Sequence, residues 1–260
     1  MSCSPSRERS RAFTLIELAI ALLVLAVLAG GLAVPLAAQL EQRRHAETRR
    51  QLDEAKEALL GFAAAHGRLP CPASATSNGE ESFAAGGDAT NGSCSNFYDG
   101  WLPGAALGLS PLDGEGFVRD AWASRANRIR YAVFGGGGAI NAVPNALTRA
   151  DGMQAATLPA LAAASHYLFI CASGAGANAS GCGPASNQLT RRAAFVLLSL
   201  GANAQSAPRA GSDEARNVAG DPVFVHHEAS MAAGAEFDDI VDWVPVHLVV
   251  NRLLTAGRLP

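Results

Sequence analysis

One carboxylate, Glu17, lies at the start of a long apolar segment. The stretch from Arg11 to Gly31 reads RAFTLIELAIALLVLAVLAGG, and residues 18–38 contain no charged side chain. A carboxylate inside a bilayer costs several kcal/mol unless it finds a partner, so such acids are candidates for a functional role. The alternative is that the Glu17 side chain reaches the lipid headgroups at the cytoplasmic face.

The cysteines offer a second kind of chemistry. The chain has five, Cys3, Cys71, Cys94, Cys171 and Cys182, with no C-x-x-C spacing and no adjacent histidine cluster, which argues against a zinc site. In an exported domain, the sequence-local pairs predict two disulfides, Cys71–Cys94 and Cys171–Cys182. Four cysteines allow three pairings, and this choice rests on proximity alone. Four buried thiols in a cytosolic protein are the alternative.

Other short motifs give little support to catalysis. Adjacent residues of a strand point to opposite faces, so the two histidines of His226–Glu228 are poorly placed to bind one ion. The glycines of Gly135–Gly138 lack both the G-x-G-x-x-G spacing and the lysine of a phosphate-binding loop. Neither G-x-S-x-G nor H-E-x-x-H occurs. We therefore expect that the protein is not an enzyme.

The apolar segment has the length and the flanks of a membrane span. At 1.5 Å per residue, a helix over residues 18–38 would extend about 30 Å, which matches a bilayer core. Arg7, Arg9 and Arg11 precede it, and positive residues favour the cytoplasmic side. Hydrophobic residues make up 49% of the chain, and the formal net charge is −3. No overall basic field is present to attract nucleic acid, so no nucleic-acid partner is expected.

The residues around Glu17 resemble a known signal. The stretch AFTLIEL, Ala12–Leu18, is similar to the class III signal of type IV pilins and type II secretion pseudopilins. The resemblance implies that a prepilin peptidase cuts between Ala12 and Phe13, that Phe13 becomes N-methylated, and that the apolar helix is retained. Glu17 matches the glutamate of the family and would pair with the new amine of a neighbouring subunit. The family usually has glycine before the cut, where this chain has Ala12.

This resemblance implies a division of the chain and a set of partners. Residues 1–12 would be the leader, and residues 13–66 one long helix, transmembrane over 14–38 and amphipathic over 39–66. Residues 67–260 would form a periplasmic head, held at the inner membrane by the helix and carried into a filament on assembly. The implied partners are the peptidase, other pilin or pseudopilin subunits, the inner-membrane assembly platform and membrane lipid.

The pattern beyond the apolar segment predicts an α+β head. Leu52, Ala55, Leu59 and Phe62 recur at helical spacing, while Gly67 and Pro70 favour a helix end. The basic residues Arg43, Arg44, Arg49 and Arg50 are expected on a solvated face or paired with acids of neighbouring subunits. Short apolar runs then predict strands at 129–134, 166–171, 193–201 and 222–227, and helices at 158–165 and 244–257. A helix followed by strands indicates a pilin-like fold with an antiparallel sheet.

The resemblance extends weakly into the head and suggests a calcium site. Arg119–Val133, Phe195–Ala204 and Phe237–Trp243 are similar to pieces of the major pseudopilin, whose acid-rich loop binds calcium. The candidate ligands here are Asp238 and Asp239, with Asp213 or Glu214 from the preceding loop, since hard oxygen ligands suit Ca²⁺. The alternative is that these acids are solvated or cap helices. Calcium is the one cofactor suggested.

Taken together, these features predict a structural subunit of a type II secretion pseudopilus or a type IV pilus. Its large head favours a minor component. Two alternatives stay open: a tip module that binds DNA, a surface or secreted cargo, and a membrane-tethered periplasmic protein whose head has an unrecognised activity.

Overall fold

The computed structural model describes residues 14–136 and 139–259, and within these it leaves out the side chains of residues 28–36. The chain divides into two compact units with the boundary between Ala46 and Glu47. Helix α1, Leu15–His66, begins in the first unit and ends in the second.

Helix α1 ends where the sequence predicts. Gly67 has φ 70°, a left-handed conformation that glycine adopts without steric cost, and its N–H donates to the Ala63 carbonyl at 2.8 Å. Pro70 follows and has no N–H with which to continue the helix. The exit of the chain from α1 is therefore determined locally by two residues.

The described residues of the first unit, 14–46, include the beginning of α1. The side chains of residues 14–27 are exposed, among them Leu15 at 89% and Ile16 at 69% of their full accessibility. Within the described residues, no helical segment combines the length and the apolar character that crossing a bilayer requires. The predicted span, residues 14–38, includes residues 28–36, whose side chains lie outside the described part.

The charged residues that follow along α1 pair mainly within the helix. Arg44 lies 3.6 Å from Glu41, and Arg50 lies 2.8 Å from Glu47 and 2.9 Å from Glu54. These spacings of three and four residues place opposite charges side by side on one face. Two of the four arginines of the predicted basic cluster are thus engaged inside their own helix.

The second unit contains ten strands and four further α-helices among the described residues. In chain order they are β1 Gly100–Trp101, β2 Arg130–Val133, β3 Ala139–Ile140, β4 Val143–Pro144, α2 Gly152–Ala156, α3 Leu158–Ala163, β5 Leu168–Cys171, β6 Gln188–Ser199, α4 Asp213–Asn217, β7 Val223–Val225, β8 Ser230–Ala232, β9 Ala235–Phe237, β10 Ile240–Pro245 and α5 Val246–Thr255. The mixed α+β class is the one expected from the sequence.

Strand β6 lies at the centre of the main sheet, where it pairs with β2, β5 and β10. The strand order of this sheet is β1-β2-β6-β5-β7, with β10 as the further partner of β6. The two smaller ribbons are β3–β4 and β8–β9. The expectation of an antiparallel sheet is wrong for one pair, because β5 and β7 run parallel, with Phe169 opposite Val223. These two strands are separated along the chain by β6 and α4, so no tight hairpin forces them to be antiparallel.

The core of the second unit forms between the end of α1 and this sheet. Leu52, Ala55, Leu59 and Ala63 are all nearly inaccessible, and they follow each other at helical spacing. Residues 193–198 of β6 are buried along their whole length. Phe62, predicted on the buried stripe, is only half-buried, and its ring stacks on His66 at a centroid distance of 4.0 Å.

Both predicted disulfides are present, Cys71–Cys94 and Cys171–Cys182. The first of them lies in the irregular segment after α1, where an ion pair adds a second link. Next to the first, the Arg68 guanidinium donates to Glu81 at 2.6 and 2.8 Å, and Glu81 also accepts the Cys71 N–H at 2.8 Å. A mostly buried pair of this kind is costly to break, since either partner alone would be an uncompensated charge.

We expect Leu59→Ala to destabilise the second unit strongly. Leu59 is fully buried, so the substitution removes apolar contacts and leaves a cavity, at a cost of about 2–5 kcal/mol in unfolding free energy. Urea denaturation of the full-length protein measures the change. Leu248→Ala is the control, because Leu248 on α5 is 45% exposed and its truncation should shift the midpoint little. Equal shifts for the two variants would contradict the packing described.

Candidate functional site

The beginning of α1 carries a reciprocal cap. The Thr14 N–H and hydroxyl each donate to Glu17 Oε2 at 3.1 Å, and the Glu17 N–H donates to Thr14 Oγ1 at 3.3 Å. This is the capping-box arrangement, in which residues three apart satisfy each other's free backbone donors at a helix start. Glu17 therefore has a role in its own helix besides any role toward a partner. The predicted cleavage and methylation residues, Ala12 and Phe13, lie outside the described residues.

Three acids from separate parts of the second unit meet near the end of β6. Glu214 comes from α4, while Asp238 and Asp239 lie between β9 and β10. Carboxylate oxygens of the three residues all lie within 4.8 Å of one another. Glu214 and Asp239 are each only 7% exposed. Two of the predicted calcium ligands, Asp238 and Asp239, are thus brought together, and Glu214 is the third acid.

Backbone and amide donors hold this acidic cluster in place. Asp238 Oδ2 accepts the N–H groups of Ala202 and Asn203 at 2.7 and 3.1 Å. Glu214 Oε1 accepts from Asn203 Nδ2 at 2.9 Å and from the Asp238 N–H at 3.1 Å. Asp239 Oδ2 accepts from Asn217 Nδ2 at 2.8 Å. These donors fix the carboxylates but carry no formal charge, so the negative charge of the cluster is not neutralised by them.

The surroundings of Asp238 and Asp239 raise the pKa of both carboxyl groups. Burial raises the pKa of Asp239 to about 8, and the neighbouring Glu214 and Asp238 add to the effect. Burial also raises the pKa of Asp238 to about 6 against the opposing backbone hydrogen bonds, with Glu214 contributing repulsion. Asp238 Oδ1 is buried without a hydrogen-bond partner. A divalent cation would replace protons here, because hard oxygen donors and closely placed like charges suit Ca²⁺.

Asp213 does not join the three acids. Its Oδ1 accepts the Gly174 N–H at 2.7 Å, and its Oδ2 lies 3.0 Å from His227 Nε2. Ser212 caps α4 by accepting the Ala215 N–H, so Asp213 and Glu214 occupy successive positions of a helical turn and point in different directions. Of the two alternatives that the sequence left open, Asp213 and Glu214, only Glu214 lies beside Asp238 and Asp239. The N-cap Ser212 was the signal in the sequence that could have indicated it.

The two histidines after β7 contact different partners. His226 packs against Trp243 with ring centroids 5.1 Å apart, while His227 packs against Phe237 at 3.9 Å and approaches Asp213. The two imidazole rings therefore lie against different neighbours.

A buried polar network supports the loop that follows β6. Asp120 Oδ2 accepts from Ser199 Oγ at 2.6 Å and from Asn127 Nδ2 at 3.2 Å, and Asn127 Nδ2 also donates to the Gly201 carbonyl at 2.6 Å. Gly201 has φ 64°, and a side chain there would meet the Asp238 carbonyl at 2.5 Å. Asp120 and Asn127, which lie within the segment Arg119–Val133, thus position the backbone against which Asp238 lies. Sequence reasoning missed these supporting residues.

Comparison with known proteins gives a match for the N-terminal segment alone. Residues 7–33 match a family model described as the prokaryotic N-terminal methylation motif. No curated protein and no solved structure matches the chain significantly. The match supports a prepilin signal of the type found in type IV pilins and pseudopilins.

We expect Asp239→Asn to stabilise the protein at pH 8 in the presence of a chelator. The pKa of Asp239 is raised by folding, so the folded state binds a proton that it loses as the pH approaches about 8, and stability falls over the interval from about pH 4 to 8. One pKa unit corresponds to about 1.4 kcal/mol, so the gain at pH 8 should be a few kcal/mol. Urea denaturation at pH 5 and pH 8 measures it. An unchanged pH dependence in the variant would contradict the buried acid.

The effect of calcium on the melting temperature tests whether the acidic cluster binds the ion. If the cluster binds the ion, calcium should raise the melting temperature of the wild-type protein at pH 8 and should raise that of Asp239→Asn much less. Asp213→Asn is the matched control and should keep the calcium response. A wild-type melting temperature that does not move with calcium ends the calcium hypothesis.

Proposed function

We propose that the protein is a pilin-type structural subunit that prepilin peptidase processes and that assembles through its N-terminal helix. The methylation motif at residues 7–33 carries this proposal. Cleavage after Ala12 would release the leader, and Phe13 would become the methylated first residue. The helix from Leu15 onward would stay with the mature protein.

The chemistry of the helix start supports the proposal. Cleavage creates an ammonium group next to Thr14, and the carboxylate of Glu17 lies one helical turn away on the same helix. The exposed apolar side chains of residues 15–27 favour lipid before assembly and the helices of other subunits afterwards. In such apolar surroundings an unpaired charge is costly, so the amine of one subunit and Glu17 of a neighbour would set the register of assembly.

The charges and the apolar segment near the N-terminus also indicate where the subunit would lie in the cell envelope. The basic leader would stay cytoplasmic, residues 14–38 would anchor the chain in the inner membrane, and the head would lie in the periplasm. Two disulfides suit that oxidising compartment. The machine would be a type II secretion pseudopilus or a type IV pilus, with the large head favouring a minor component. The head would act as a structural part rather than as a catalyst.

Mass analysis of the mature N-terminus tests the proposal. We expect the protein purified from the envelope of cells with an active prepilin peptidase to begin at N-methylated Phe13. The same protein from cells without that peptidase should keep its leader. A mature chain that begins near Gln39, or one that keeps Met1 in the presence of the peptidase, contradicts the proposal.

A further inference from the structure

The ribbon of β8 and β9 is anchored to the head by few buried side chains. Three antiparallel pairs join its two strands: Ser230–Phe237, Met231–Glu236 and Ala232–Ala235. Residues 231–236 are all exposed, and Phe237 is the one buried residue of the two strands. A two-stranded ribbon alone is at best marginally stable in water, whereas three or more strands with an apolar face are stable. A further strand would therefore stabilise this ribbon.

The outer edge of β8 is open. Ala232 and Ala235 flank a two-residue turn, so they form the hydrogen-bonded pair that closes it. By alternation, the N–H and the carbonyl of Met231 point away from β9, and neither has a hydrogen-bond partner among the described residues. Met231 is 88% exposed, more than any other large apolar residue described in the head. No described residue thus covers the middle of this edge.

The outer edge of β9 is already occupied. The N–H groups of Gly234 and Glu236 donate to the Glu236 carboxylate, the first at 3.0 Å, and these bonds lower the pKa of that carboxyl group. The Arg209 guanidinium donates to the Gly234 carbonyl at 3.1 Å. Charged side chains commonly protect edge strands from pairing with other chains. Strand β8 lacks this protection, because residues 229–235 contain no charged side chain.

We propose that β8 pairs with β8 of a second copy of this chain, in an antiparallel arrangement centred on Met231. The Met231 N–H of each copy donates to the Met231 carbonyl of the other, and Ala229 of each copy lies opposite Ala233 of the other. The two ribbons form one four-stranded sheet, and the two Met231 side chains lie side by side on one face. An identical strand suits this edge, because the uncharged segment sets no like charges opposite each other.

Disulfide trapping in the full-length protein tests this contact. In a Cys3→Ser background the other four cysteines are bonded in two disulfides, so an introduced cysteine is the one free thiol. We expect Met231→Cys to form an intermolecular disulfide at least tenfold faster than Ala235→Cys under a mild oxidant. Opposed residues of a hydrogen-bonded pair have Cα atoms about 5.5 Å apart, which is within the range of a disulfide.

Ala235→Cys is the matched control, because Ala235 is exposed on the same ribbon but lies on β9. In the proposed sheet, three inter-strand spacings separate the two copies of β9, about 14 Å in all, which is too far for a disulfide. Equal rates for the two variants indicate random collision and overturn the proposal. A failure of Met231→Cys to cross-link overturns it as well.

A mixture of Ala229→Cys and Ala233→Cys proteins tests the direction of pairing. Antiparallel strands place these two positions opposite each other, so the mixed disulfide should predominate over both homodimers. Adding Met231→Lys to both proteins should abolish it, because like charges would then lie opposite each other. Parallel strands would instead favour the Ala229→Cys homodimer, and that result contradicts the proposal. These tests are independent of N-terminal processing, so their failure leaves the proposed function untouched.

Discussion

The burial of one stripe of α1 against the main sheet is the interaction on which the head depends. Leu52, Ala55, Leu59 and Ala63 supply that stripe, and they belong to the same buried apolar cluster as residues 193–198 of β6. Few residues of the segment between α1 and β2 are in regular secondary structure, so this packing and the Cys71–Cys94 disulfide carry much of its order. The same helix begins at Leu15, within the capping box that Thr14 and Glu17 form. One helix thus joins the segment with the methylation motif to the core of the head.

The acidic cluster of Glu214, Asp238 and Asp239 destabilises the fold when its carboxylates are charged, because they lie close together and two of them are buried. Burial, together with the neighbouring carboxylates, raises the pKa of Asp238 and of Asp239. Only uncharged donors hold them, among them Asn203 and Asn217, and the Asp120 network fixes the loop nearby. Such a cluster is a natural place for a cation, and it links α4 to the segment before β10. The two candidate sites therefore differ in their surroundings. Glu17 is an exposed carboxylate at the start of α1, whereas Glu214 and Asp239 of the acidic cluster are shielded from solvent.

Short sequence patterns predicted where many of the helices and strands lie. They did not predict how the strands pair or which side chains meet in the acidic cluster. The end of α1 followed from Gly67 and Pro70, and apolar runs located β2, β5, β6 and β7. The acid-rich segment Phe237–Trp243 is only partly a loop, because Ile240–Trp243 belongs to β10. Val241 is buried there, while Asp242 pairs with Lys56. The β8–β9 hairpin was missed since its alanines and glycine give no alternation. The parallel pairing of β5 with β7 depends on tertiary packing, which a short stretch of sequence does not contain. The decision between Asp213 and Glu214 depends on which way each side chain of α4 points.

The fate of a Glu17→Gln subunit tests the central claim most directly. Glutamine keeps the shape of glutamate and can still complete the capping box with Thr14, so only the negative charge is removed. The account predicts that this variant reaches the membrane and is processed at Phe13 but is not recovered in the assembled filament fraction, whereas Glu17→Asp retains part of the wild-type amount. Incorporation of Glu17→Gln at the wild-type level would contradict the charge pairing.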